Sequence, residues 1–318
     1  MNKTAQKCRS AEVQKIGRTA AFIWNKSFLK RLLLCCSIAL LLLSGCGGYK
    51  EPTLSDTQLR TAELNGKAES AFKKGNYRRA LNLYNEALKI NRSIENIDGT
   101  AINIVSAAAV YRKLGDKESA HKYLDEILNA AAVTYRPMHI SDAAFLKALL
   151  QLDEGKYDSA KDWTDRSLSS CDNPQCQGKI YNIRGRIELL KGDLTSAITY
   201  GNKGLSLNKS NEDEAETANS LRLIAEAKAA KGEYSEAIKF YEDALSIDKK
   251  LEAGRKIAMD LMGIGNTFFK QQMCGDAVKY YQRALSVIEG LGDVQGAKEA
   301  VEMINKCSQT SSKNPDKK

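Results

Sequence analysis

The feature that most limits how this chain can fold is a pattern that returns about every 40 residues between residues 61 and 297. Each copy opens on a glycine, places an alanine five residues later, and follows it with an aromatic or apolar residue and a leucine. The first reads Gly75-Asn76-Tyr77, Ala80, Tyr84, Ala87-Leu88. The second has Gly115-Asp116, Ala120, Leu124 and Ile127-Leu128, the third Gly155-Lys156-Tyr157, Ala160 and Leu168, and the fourth Gly192-Asp193-Leu194, Ala197 and Leu205. Gly232-Glu233-Tyr234, Ala237, Tyr241 and Ala244-Leu245 make the clearest copy, and the sixth keeps Ala277, Tyr281 and Ala284-Leu285 with Gln272 in the glycine's place. Successive glycines are 40, 40, 37 and 40 residues apart, and Gln272 falls 40 after Gly232. Length alone would allow two globular domains. A fixed period of this size belongs instead to stacked units that bury their apolar faces against their neighbours.

Seven residues before each turn stands a small residue: Ala68, Ala108, Ala148, Gly185, Ala225 and Gly265. Small residues there, and the alanine after the turn, let two helices approach closely. Glycine supplies the positive φ that ends the first helix. These residues together resemble the tetratricopeptide motif, a helix–turn–helix unit with a usual period of 34. The resemblance implies an all-α fold: a right-handed solenoid of about six helical hairpins over residues 61–297. A capping helix over 298–309 and a disordered polar tail over 310–318 follow. The longer period, with no proline closing each unit, predicts second helices one to two turns longer than usual. Thr164 beside Trp163, and Gly201 and Gly204 inside a helix, depart from the pattern. Interior glycines cost about 1 kcal/mol each relative to alanine, so they either permit close packing or soften the helix. The joint between the third and fourth repeats is therefore the expected flexible point.

The N-terminus carries a different message. Leu32 to Leu43 is a twelve-residue apolar run preceded by basic residues, the polarity of a secretory signal and too short for a membrane span of ~20 residues. Leu43-Ser44-Gly45-Cys46 then resembles the lipobox of bacterial lipoproteins. That resemblance implies a signal peptide over 1–45, an acylated Cys46 as the mature N-terminus, and a tether over 46–60. Two or three acyl chains anchor a protein stably where one does not, each buried CH₂ contributing ~0.8 kcal/mol. Gly47, where aspartate would imply inner-membrane retention, implies the periplasmic face of the outer membrane.

Of 48 Lys and Arg and 39 Asp and Glu, eight and one lie in residues 1–45, which leaves 40 basic and 38 acidic residues beyond them. The net charge of +9 thus belongs mainly to the leader, and no basic stripe interleaved with aromatics points to nucleic acid. Eight cysteines are present; Cys8, Cys35 and Cys36 leave with the leader and Cys46 takes lipid. The four that remain suggest two disulfides in an exported chain. Cys171 and Cys176 flank Asn173-Pro174, which favours a turn that joins them, and so short a loop stabilises by about 2 kcal/mol. Cys274, at the sixth turn, and Cys307, in the capping helix, form the second expected pair. His121 and His139 show no metal spacing, and no phosphate loop, nucleophile elbow or metal-binding motif occurs. No catalytic site, metal or cofactor is expected.

In the tetratricopeptide architecture the first helix of each hairpin lines a concave groove. Counting from the small packing residue places Asn182, Arg186, Asn219, Arg222 and Asn266 there. Asparagine can satisfy both donor and acceptor of an extended backbone, and arginine can fork onto a carboxylate. Ile102, Val105, Phe145 and Leu149 occupy the corresponding positions in the N-terminal half and suit an apolar partner helix. The expected function is that of a lipid-anchored envelope scaffold holding a protein or peptide partner. A hydrolase with a site between hairpins and a purely structural spacer are the alternatives.

Overall fold

The computed structural model describes residues 55–313, with side chains described through residue 309. The leader, Cys46, the tether up to residue 54 and residues 314–318 lie outside the described residues.

Among the described residues there are thirteen α-helices and no strand. Six hairpins follow one another: α1 (Asp56–Lys73) with α2 (Tyr77–Ser93), α3 (Ile97–Leu114) with α4 (Lys117–Leu128), and α5 (Pro137–Asp153) with α6 (Tyr157–Ser169). Then come α7 (Pro174–Lys191) with α8 (Leu194–Ser210), α9 (Glu214–Lys231) with α10 (Tyr234–Lys250), and α11 (Gly254–Lys270) with α12 (Cys274–Gly290). The terminal helix α13 (Val294–Lys313) is longer than the expected cap, and α1 starts five residues before residue 61. Each helix packs mainly on those before and after it in the chain, the contact pattern of a solenoid.

One turn geometry builds the hairpins. Gly75, Gly115, Gly155, Gly192 and Gly232 have φ of 77, 81, 73, 87 and 85°, and Gln272 adopts the same left-handed conformation at 62°. The residue after the glycine starts the next helix: Asn76, Asp116 and Asp193 accept backbone N–H bonds from Arg79, Ser119 and Ser196 at 3.3, 3.0 and 2.9 Å. The same turn joins hairpins, with Glu95, Glu212 and Glu252 at φ 53, 57 and 54°. There the N–H groups of Asn96, Asp213 and Ala253 bond the carbonyls of Asn91, Asn208 and Asp248 at 2.9 Å, closing the helix end.

The added length of the repeat is shared between both helices. First helices run 17 or 18 residues, and α2, α8, α10 and α12 run 17. The expectation of long second helices fails for α4 and α6, which have 12 and 13 residues. Their spare sequence forms the irregular stretches 129–136 and 170–173, because Pro137 and Pro174 open the next helices and bar a helical residue before them.

The small residues sit where helices touch. Ala68, Ala108, Ala148 and Ala225 are fully buried, as are Ala80, Ala120, Ala160, Ala197, Ala237 and Ala277. A Cβ on Gly185 would stand 2.6 Å from Leu223 Cδ2, and one on Gly265 2.6 Å from Tyr281 Cε1. The two glycines of α8 follow the same rule: Cβ atoms at Gly201 and Gly204 would lie 2.7 Å from Ile224 Cγ1 and 2.5 Å from Asn182 Oδ1. They permit close packing. The joint expected to be flexible is tied by the Cys171–Cys176 disulfide (Cα–Cα 6.0 Å), and Arg184 reaches back to Thr164 at 3.0 Å and to Asp165.

Candidate protein-binding groove

The first helices α7, α9 and α11 lie side by side in the C-terminal half. Their side chains divide by position. Residues six before and one after the small packing residue face the groove: Asn219 and Met259 in the first set, Arg186, Glu226 and Asn266 in the second. The residue three before it turns inward between hairpins. Asn182 and Arg222 hold that position; they are 6% and 4% exposed and line the smaller of two cavities from within the joint. They lie three residues from the first set and four from the second, a rotation of roughly 40–60° about the helix axis that carries them toward the joint.

There they belong to a clamp that recurs at three joints. Between the first two hairpins, Asn103 donates to Asn65 at 2.6 Å and receives from Asn91 at 2.7 Å. Between the fourth and fifth, Ser220 donates to Asn182 Oδ1 at 2.6 Å and receives from Asn208 at 3.0 Å, while Asn182 donates to Glu216 at 2.8 Å. Between the fifth and sixth the neutral groups become ions: Arg222 bonds Asp260 at 2.6 and 3.2 Å and also pairs with Asp248. Burial pushes the Asp260 carboxyl up to about 6; Arg222 opposes that and Asp248 adds to it. Buried groups of this kind need every partner in place. The remaining joints differ in the matching register: Ala131 falls in the irregular stretch 129–136 at one, and Cys171 of the disulfide takes the place at the other.

Above the clamps lie two cavities that share Glu226 and Met259. The smaller, about 260 Å³, is lined by Phe145, Lys179, Arg186, Asn219, Glu226 and Lys256 among others. Arg186 pairs with Glu226, and burial lowers its pKa. Lys256 donates to Asn219 Oδ1 at 2.9 Å and is lowered by burial and by neighbouring Arg222. The larger, about 940 Å³, continues toward the C-terminus between α9, α11 and α13. Leu189, Met259, Met262, Phe269 and Met303 give it an apolar floor, and Arg255, Lys270, Asp293 and Glu299 a charged rim. Asn266 stands exposed on its wall, accepting from Tyr281 Oη at 2.8 Å. The cavity fits the dimensions of a ligand pocket, and methionines suit a surface that adapts to its occupant.

Sequence reasoning missed Glu226, Met259 and Met303. Met259 and Met262 were legible as an i, i+3 pair on α11; Met303 was not, because its role depends on how α13 docks. In the N-terminal half Ile102 is 50% exposed, whereas Val105 and Leu149 pack against the core of the first three repeats. Phe145 is half-buried, with Lys179 Nζ 5.0 Å from its ring centre, and lines the smaller cavity. Cys274 and Cys307, expected as a disulfide, are buried in one apolar cluster without a bond between their sulfurs. No cluster of three or more His, Cys, Asp or Glu side chains that could hold a metal occurs among the described residues.

The tetratricopeptide-repeat family profile matches residues 59–132 and 176–250. Solved structures share the fold at low identity. PilW, a widely conserved type IV pilus biogenesis factor, superposes with a TM-score of 0.54 at 14% identity, over 76% of this chain and 98% of that one. A Rap protein complexed with Competence and Sporulation Factor gives 0.57 at 13%, over 80% and 78%. A signal transduction ATPase with a tetratricopeptide-repeat sensor from Pyrococcus horikoshii gives 0.59 at 14%, with 80% of this chain covering 40% of that one. No curated protein matches the sequence.

Proposed function

We propose that this chain, a tetratricopeptide-repeat protein and hence a scaffold for protein–protein interaction, is a lipid-anchored adaptor of the bacterial cell envelope that grips a partner segment in the groove of its C-terminal half. The observation that carries the reading is the continuous trough over α7, α9, α11 and α13, polar at one end and methionine-lined at the other. Arg186, Asn219 and Asn266 offer donors and acceptors to a peptide backbone, while Met259, Met262 and Met303 accept apolar side chains. Asn182 and Arg222 support this surface from below.

The anchor rests on the order of basic leader, apolar run and Leu43-Ser44-Gly45-Cys46. Acylation at Cys46 would hold the first hairpin within ~30 Å of a bilayer, the reach of the nine residues 47–55. Two experiments test the two halves of the reading. Crosslinking in the native membrane should capture a partner that Arg186→Ala and Asn266→Ala together lose; equal capture by both proteins would show the groove is not the contact. Cys46→Ala should abolish lipid labelling and release the protein from the membrane fraction. Continued labelling of that variant would refute the anchor.

A further inference from the structure

The terminal helix is held on the last hairpin by an apolar cluster with two thiols at its centre. Cys274 opens α12 and Cys307 lies in α13; they are 8% and 1% exposed. Ala277, Tyr281, Met262, Phe268, Phe269 and Met303 surround them. Cys307 and Cys274 pack in the same cluster, and burial together with the neighbouring Cys274 pushes the Cys307 thiol up to about 12. The pair thus lies across the contact between two helices that follow one another through the turn at Gly292. It also sits behind the larger cavity, since Met262 and Met303 belong both to the thiol cluster and to the cavity wall.

We propose that Cys274 and Cys307 are a redox-modification site that locks α13 onto the sixth hairpin and so fixes the wall of the groove. The reaction is exchange with a disulfide supplied by another molecule. Cys274, the more accessible, attacks as its thiolate and forms a mixed disulfide, releasing one thiolate of the donor. Cys307 gives its proton to solvent and attacks the Cys274 sulfur, releasing the second. Two thiols lose two electrons and two protons, and the donor disulfide gains them. In the closed state the Cys307 thiol is protonated and shielded, which makes the second step depend on transient loosening of α13. The reduced form leaves the groove wall adaptable; the oxidised form holds it in one shape.

The test uses the full chain with Cys8, Cys35, Cys36, Cys46, Cys171 and Cys176 all replaced by serine, so that this pair alone reports, with oxidised glutathione as the donor. Mass spectrometry should show a peptide linked through Cys274 and Cys307 after a transient glutathione adduct on Cys274. Amide exchange in α13 should slow at least tenfold, with little change in α1 to α4. In Cys307→Ala added to that background the adduct on Cys274 should persist. The proposal is overturned if both thiols remain alkylatable after treatment under conditions where the unfolded protein reacts fully. A stable adduct without a Cys274–Cys307 link, or a link that leaves α13 exchange unchanged, overturns it as well.

Discussion

At single positions, the backbone and a few buried charges decide most. Gln272 is the residue that breaks the glycine rule while keeping glycine's geometry, at φ 62°. A left-handed conformation costs an L-residue about 1–2 kcal/mol, and glycine recovers part of this against its greater unfolded-chain entropy. Gln272→Gly is therefore expected to stabilise the sixth hairpin by about 0.5–1 kcal/mol, read as a higher midpoint in thermal denaturation followed by circular dichroism. Arg222 presents the opposite case. Its guanidinium is the counter-ion of two buried carboxylates, Asp248 and Asp260, at 2% and 0% exposure. Arg222→Ala removes the guanidinium that both carboxylates bond and should cost about 3–5 kcal/mol. That loss of stability, measured by urea unfolding, separates a structural arginine from a partner-contacting one, whose removal would leave the midpoint unchanged.

Between elements, the joints are the units of behaviour, because a solenoid's stability is a sum over hairpins and their interfaces. The joint between the fifth and sixth hairpins titrates. Asp260 is pushed up to about 6, above the ordinary carboxylate range, so the folded joint binds a proton more tightly than the unfolded chain does. Its stabilisation is complete below that ordinary range and is lost as pH rises through about 6. Acidification from pH 7 to pH 5 should thus stabilise this joint by about 1 kcal/mol relative to Asp260→Asn. Hydrogen exchange in α9 to α11 at the two pH values measures the difference; an equal response in both proteins would show that Asp260 is not the group. The joint between the fourth and fifth hairpins depends on space instead. Gly204 leaves room for Asn182 Oδ1, which a Cβ would approach to 2.5 Å. Gly204→Ala, which raises helix propensity, should nonetheless loosen this joint by about 1–3 kcal/mol, detected as faster exchange in α8 and α9.

Over the whole molecule, the groove is an outcome of stacking. Met259 is 46% exposed and stands where the two cavities meet. Met259→Glu should leave the thermal midpoint nearly unchanged and reduce capture of the partner at least tenfold in crosslinking, since it puts a charge where apolar side chains are to enter. Much of the architecture could be read beforehand from particular residues. The turn glycines, the alanines that follow them and the small residues seven positions earlier mark six hairpins because each acts locally, through a left-handed φ or through the diameter of a side chain. The short α4 and α6 were less legible, because Pro137 and Pro174, which open the helices after them, work against the period instead of marking it. Counting from the small packing residue along one helix places Asn182 and Arg222 in the groove, and in isolation each helix gives no reason to choose otherwise. Whether a side chain three residues before the packing point faces solvent or the next hairpin depends on the rotation between stacked units, a property of no single helix. The same holds for Met303 and for the meeting of Cys274 with Cys307, which are 33 residues apart in the chain and adjacent only once α13 has docked. Local periodicity therefore settled the repeat and its turns, while tertiary packing chose which polar groups became clamps and which were left to line the groove.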